Sequence, residues 1–193
     1  KNIDTMLIIN PDNPSGNYIS KKGLLELIQW AKEKGISLII DESFVDFADE
    51  HAGLGNSIID EDILGLYNKL YVVKSISKSY GVPGIRLGVI ASADEEKIAL
   101  LKKDVAIWNI NSFGEFFMQI YEKYSKDYIA SLENIKRSRT LLVQALSNVP
   151  YLRVIPSQAN YIMCEVLDGH TSRELAEKLL KKDILIKDLS TKV

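Results

Sequence analysis

At 193 residues, 46% hydrophobic and 26% charged, the chain has a globular composition with room for one substantial core or two smaller ones. Its net charge of −2 gives no electrostatic reason to expect nucleic acid or a membrane as partner, and no apolar run reaches the roughly 18–20 residues of a membrane span. Cys164 is the only cysteine, which excludes an internal disulfide and predicts a reducing, cytoplasmic setting.

Residues 6–10 (MLIIN) form a short apolar run, the pattern of a strand covered on both faces. NPDNPSG follows as a dense turn. Ser20 is placed to cap a helix that runs to about Lys34, with Leu24, Leu25, Leu27 and Ile28 as its apolar stripe and Gly35 as its stop. A second buried strand is predicted at 36–41 (ISLIID), then a loop or broken helix over 49–66, a strand at 70–75 and another at 86–92. Strand, helix and strand at this spacing predict right-handed crossovers, a mostly parallel sheet and the α/β class.

From Asp94 the pattern turns helical, with helices predicted at 94–103, 114–126 and 127–148. Strands LRVIP, NYIMCEV and ILIKD follow, around a helix at 171–182. This divides the chain into residues 1–112, part of a large ligand-binding domain, connecting helices at 113–148, and residues 149–193, part of a smaller α/β domain. The chain opens at Lys1 and closes at Val193, each close to an apolar strand, which predicts a piece of a longer protein.

Three motifs stand at the carboxyl ends of successive strands, the edge where open parallel sheets bind ligands. They are Asn13 after the first strand, Asp41 after the second, and Ser75, Ser77 and Lys78 after the third. The third belongs to SISKSYGVPGIRLG, whose Gly and Pro residues form a turn that brings Arg86 back beside Lys78. A lysine there can act as nucleophile and as base. Hydroxyls with a guanidinium suit a phosphate.

Together NPDNPSG, DESFVDF and SISKSYGVPGIRLG resemble the pyridoxal-phosphate aminotransferases of the aspartate-aminotransferase fold. Within it, the branch of histidinol-phosphate aminotransferase and threonine-phosphate decarboxylase is the most similar. The pattern S-x-S-K-x-[YF]-x-x-P-G-x-R-x-G is specific, and the likeness covers essentially the whole chain. The chain in turn matches only the middle and later part of the family, without its glycine-rich phosphate loop. The resemblance implies pyridoxal 5'-phosphate as cofactor, Lys78 as the lysine that condenses with its aldehyde, Asp41 opposite the pyridine nitrogen and Asn13 at the phenolate oxygen. Ser75, Ser77 and Arg86 would then anchor the phosphate. Phe44 stands where many members carry a tyrosine; it cannot donate to the phenolate oxygen and is left to pack beside the cofactor. Asn160 resembles an asparagine that contacts substrate carboxylate, and Trp108, Asn109 and Asn111 resemble a segment near the active site. The substrate implied is a small amino-acid-type molecule. Transamination and α-decarboxylation both stay open, and a homodimer of the intact protein is implied.

Two other classes compete. SLIIDES has the texture of a Walker B strand, but the chain holds no GxxxxGK[ST]. Some two-part proteins carry a nucleotidyltransferase-like half before an aminotransferase-like half, so a fused or non-catalytic role is the second alternative. The run DESFVDFADE has five acids in ten residues, without His or Cys at ligand spacing. It reads as a helix start and a solvated loop, and no metal is predicted. His51 and His170 read as solvated, and Cys164 as an inert thiol.

Overall fold

The structure, a computed structural model, describes residues 3–191. Strand β1 (Thr5–Ile9), β2 (Ser37–Asp41) and β3 (Leu70–Ser75) pair in parallel, in that order. Helix α1 (Lys21–Lys34) is the first crossover. The Ser20 hydroxyl accepts from Gly23 N–H at its start, and Gly35 ends it in the left-handed region at φ 70°. Leu24, Ile28 and Ala31 recur at helical spacing and are fully buried against Leu38 and Ile40 of β2 and Leu70 and Val72 of β3. The β2–β3 connection, 42–69, contains the short helix α2 (Glu61–Leu64), and Ile58 and Tyr67 close the same core. The opposite face of the sheet carries Leu7, Ile39, Asp41, Tyr71 and Val73 and is only partly covered, with Leu7 60% exposed.

Strand β4 (Gly88–Ala91) joins β3 antiparallel, against the parallel crossover that strand spacing suggests. The reason is the connection. Residues 76–87 hold only the single-turn helix α3 (Ile76–Ser79) and a 3₁₀ turn at Pro83–Ile85, so the chain turns back at the edge it left. Helix α4 (Glu95–Asp104) follows, and α5 (Ser112–Tyr121) runs through a 3₁₀ turn, Glu122–Tyr124, into the long α6 (Ser125–Ser147). Strands β5 (Leu152–Val154) and β6 (Cys164–Val166) pair antiparallel, and α7 (Ser172–Leu180) carries a capping box, Thr171 with Glu174. The expected strand ILIKD does not form. Residues 184–188 find no ladder partner among the described residues, and Leu185 is exposed; strand propensity without a pairing edge does not make a strand.

The acidic run 41–50 is not the solvated loop its composition suggests, because each acid takes a different partner. Glu42 and Asp46 are fully buried. Glu42 accepts from the Ser57 hydroxyl at 2.6 Å and Ile58 N–H at 2.8 Å, pinning the 57–58 loop to the end of β2. Asp46 meets Lys74, Asp49 meets Arg139, and Glu50 accepts from Tyr18 and from Lys21 N–H.

Burial raises the Glu42 carboxyl above its ordinary 4.5, against the downward pull of its two donors and of Lys74. The folded state therefore holds the proton more tightly than the unfolded chain. The resulting contribution to stability is complete below the ordinary carboxyl value and is lost as pH rises through the raised one. Glu42→Gln keeps the shape and removes the titration. Its urea midpoint, relative to wild type, is expected to improve steadily from mildly acid to mildly alkaline pH. A difference that does not change with pH would show that Glu42 does not titrate with folding.

Candidate active site

The three parallel strands end at one edge, in register: Ile9 beside Asp41, and Asp41 beside Val73, two residues before Ser75. Asn10 N–H donates to the Asp41 carbonyl at 2.8 Å, so the turn leaving β1 starts against the end of β2. The fully buried Asn10 side chain then closes that turn, bonding Ile19 through both its carbonyl and its amide. Asp12 organises the tip, accepting from Ser15 N–H and the Ser15 hydroxyl. Asn13 is exposed, and among the described residues its side chain bonds no protein group.

Asp41 is half-buried and lines an open cavity of about 400 Å³ with Ser43, Val73, Lys74, Ser75 and Gly88. Its hydrogen bonds, from Ser43 N–H at 2.9 Å and the Ser43 hydroxyl at 2.5 Å, both fall on Oδ1. The Ser43 hydroxyl also accepts from Ser75 N–H at 3.0 Å. One serine thus ties the two strand ends together. Sequence reading missed Ser43, although Ser two residues after Asp is the spacing of an Asx turn.

Ser77 is buried, with its hydroxyl between Leu87 N–H at 3.1 Å and the Leu87 carbonyl at 3.4 Å. Ile76 N–H donates to the same carbonyl. These bonds close the 77–87 loop, with Lys78 and Arg86 each next to one of its bonded ends. Both side chains are exposed, and neither lines the cavity that Asp41 and Ser75 share. Arg86 lies in the left-handed region at φ 55°, uncommon for a residue with a Cβ, and donates to the Pro83 carbonyl at 3.3 Å.

Phe44 is half-buried and meets the edge of Tyr161 at 5.1 Å between ring centroids. The Tyr161 hydroxyl donates to the Asp12 carbonyl at 2.7 Å, and burial, with the Asp12 and Asp41 charges, pushes this phenol up to about 12. Tyr161 therefore joins the NPDNPSG turn to the segment 157–161 and stays a donor. Gln158 supports the same contact, donating through its N–H to the Gly16 carbonyl and accepting from Asp49 N–H. Asn160, between them, is exposed. Arg139 of α6 is buried beneath this junction, donating to the Phe47 and Ala159 carbonyls and to Asp49. Asn111 caps α5 and donates to the Ile85 carbonyl, a tether to the Lys78–Arg86 loop, whereas Trp108 stands 90% exposed. Burial raises the Cys164 thiol, in keeping with an unreactive side chain. His170 packs on Tyr151, and no cluster of three metal-ligating side chains occurs among the described residues.

The family profile for aminotransferase class I and II matches residues 1–191. The chain belongs to this family. The enzymes of this class depend on pyridoxal 5'-phosphate. The chain is 34% identical over 186 residues to the L-serine phosphate decarboxylase of Campylobacter jejuni, covering 94% of this chain and 46% of that one. It is 33% identical over 191 residues to the CMP-5'-(3-aminopropyl)phosphonate synthase of Streptomyces rubellomurinus, covering 98% of this chain and 30% of that one. The crystal structure of the histidinol-phosphate aminotransferase from Clostridium acetobutylicum matches with a TM-score of 0.82 at 28% identity, over 97% of this chain and 55% of that one. The chain therefore spans roughly a third to a half of the curated relatives it matches. The mixed α/β sheet follows the class expected from the strand spacing. Within this class I and II family, aminotransferases and decarboxylases both stand among the similar proteins.

Proposed function

We propose that the whole protein is a pyridoxal-phosphate enzyme that transfers the amino group of a small amino acid or amino-phosphate compound to a 2-oxo acid, with Lys78 as the lysine that binds the cofactor. The observation that carries this reading is the Asp41 carboxylate. Among the described residues its donors both fall on Oδ1, which leaves Oδ2 without a donor on a side chain that lines the same cavity as Ser75. That is what a protonated ring nitrogen needs as partner. The cofactor supplies the electron sink; the protein supplies the groups around it. Lys78 takes and returns the proton at the substrate α-carbon. Ser75 and Arg86 receive the phosphate, Arg86 with a charged fork that its Pro83 bond leaves only partly engaged, while Ser77, the third anchor expected from the sequence, is buried and bonded to Leu87 and holds the loop that carries them. Asn13 has its amide free toward the ring oxygen, Phe44 closes the side of the pocket by packing, and Asn160 faces the substrate.

α-Decarboxylation is the second reading. It is favoured by Phe44, which lacks a hydroxyl, and by the 34% identity to a serine phosphate decarboxylase. The two separate on products. O-phosphoserine supplied without a 2-oxo acid should release carbon dioxide only if decarboxylation holds. A non-catalytic part of a longer, two-part protein is the third reading; a relative of which the chain covers 30% supports such a fusion. A homodimer is part of the proposal, supported by the exposed apolar side chains of Ile107, Trp108 and Phe113, and so is a cytoplasmic setting, on the single cysteine. So is the division into a cofactor domain at 1–112, connecting helices at 113–148 and a smaller domain at 149–193.

The test is direct. Whole protein with pyridoxal phosphate should show the visible absorbance of a lysine adduct, and borohydride should fix the cofactor on the Lys78 peptide. Lys78→Ala should remove both. If the fixed adduct survives that change, Lys78 is not the cofactor lysine.

A further inference from the structure

The turn that carries Lys78 is held at both of its ends, and one side chain on a distant helix reaches both holds. Before the turn, Lys74 Nζ lies 2.6 Å from Asp46 Oδ1, with 10% of the lysine side chain and none of the aspartate side chain exposed. After it, Tyr80 caps α3, its N–H donating to the Ile76 carbonyl at 3.2 Å. Tyr128 of α6 donates its hydroxyl to the other Asp46 oxygen at 2.7 Å. Its ring stacks on Tyr80, with centroids 4.1 Å apart and planes 15° from parallel. Tyr121 and Phe117 of α5 complete the grip on Tyr80, the two tyrosine hydroxyls lying 3.2 Å apart.

We propose that Tyr128 is a positioning residue for Lys78, clamping residues 74–80 at both ends and coupling their placement to α6. The proposal rests on the reading of Lys78 as the cofactor lysine. The clamp has a function there because Lys78 is exposed and, among the described residues, no hydrogen bond or ion pair aims its amine. A displacement of about 1 Å in a reacting group can cost on the order of 100-fold in rate. Helix α6 also holds the 157–161 segment through Arg139, so the clamp and the Asn160 segment hang on one rigid element. Burial and the Asp46 charge push the Tyr128 phenol well above its ordinary value, so it remains a donor throughout the working range.

The test uses the whole protein and three variants. Tyr128→Phe keeps the stack and removes the hydroxyl. Tyr128→Leu removes both. Tyr124→Leu, a neighbouring tyrosine of the same cluster that bonds neither Asp46 nor Tyr80, is the control. Without cofactor, acetic anhydride modifies lysines at rates that peptide mass spectrometry resolves, with Lys22, whose side chain is 87% exposed, as internal reference. The Lys78-to-Lys22 rate ratio is expected to shift about three- to tenfold in Tyr128→Leu, less in Tyr128→Phe, and not at all in Tyr124→Leu. With pyridoxal phosphate, the borohydride-fixed fraction on Lys78 should fall in the same order. A merely structural tyrosine would lower the melting temperature and leave the ratio of the folded protein unchanged, which would overturn the clamp. If Tyr128→Leu does not fold, Tyr128→Phe decides alone. If wild type fixes no cofactor, the proposed function fails, while the cofactor-free ratio still decides whether Tyr128 positions Lys78.

Discussion

Asp46→Ala is expected to lower folding stability by about 3–5 kcal/mol, the loss that follows when one partner of a buried ion pair is removed. The reason is what it leaves behind. Lys74 Nζ keeps its charge in a site where its side chain is 10% exposed, and the Tyr128 hydroxyl loses its acceptor. Against a total stability of about 5–15 kcal/mol for a typical domain, that is a large share. The pair itself is a different matter, since its Coulomb attraction has to offset two desolvations. Asp46→Leu with Lys74→Met should therefore recover most of the loss, and the two changes should be strongly non-additive in a double-mutant cycle. Urea unfolding of wild type, Asp46→Ala, Asp46→Leu, Lys74→Met and the Leu/Met double variant measures both points. If Asp46→Ala lies within about 1 kcal/mol of wild type, water reaches the pair and screens it. The same variants separate stability from positioning, because the charge-free pair leaves Tyr80 and its stack on Tyr128 in place.

The elements that were legible in the sequence are those whose signals are local. Ser20 and Gly35 mark the ends of α1 within a residue, because a side-chain cap and a left-handed stop are decided by the residues themselves. The apolar runs before Asn10, Asp41 and Ser75 mark the three parallel strands, and with them the edge where the candidate side chains gather. What was not legible depends on partners far along the chain. Nothing near Asp46 distinguishes it from a solvated acid; Lys74 and Tyr128 do, from 28 and 82 residues away. The antiparallel β4 follows from the brevity of the 76–87 connection, a tertiary fact, and ILIKD fails as a strand for want of an edge. At the site, the motif residues were legible while their supports were not. Ser43 meets Ser75, and Tyr161 meets Asp12, by bonds that only the folded chain brings about.

Gly16→Ala is the second change expected to do large damage, and Gly35→Ala supplies its measure. Both glycines lie in the left-handed region, at φ 74° and 70°. At Gly35 a Cβ would meet nothing within 4 Å, so the change there should cost only the conformational term, about 1–2 kcal/mol. At Gly16 the added carbon would lie 2.0 Å from Ser157 Oγ and 3.0 Å from Ser157 Cα. The Ser157 hydroxyl has little freedom to withdraw, because it donates to the Tyr161 carbonyl and accepts from Ala159 N–H. The backbone of 157–161 must therefore move away from the NPDNPSG turn, adding about 1–3 kcal/mol, the usual range for overpacking. The hydrogen bond from Gln158 N–H to the Gly16 carbonyl, 2.9 Å, should be lost with it. Hydrogen exchange reads this locally: the Gln158 amide should lose protection in Gly16→Ala and keep it in Gly35→Ala. Equal losses of stability in the two variants, with Gln158 still protected, would mean that the turn yields instead. On the proposed reading of Asn160 as a substrate contact and Lys78 as the cofactor lysine, substrate affinity of the whole protein should fall in Gly16→Ala, because Asn160 rides on the displaced segment, while borohydride still fixes the cofactor on Lys78. That split would assign the Gly16–Ser157 contact to substrate placement and leave cofactor binding to the strand ends.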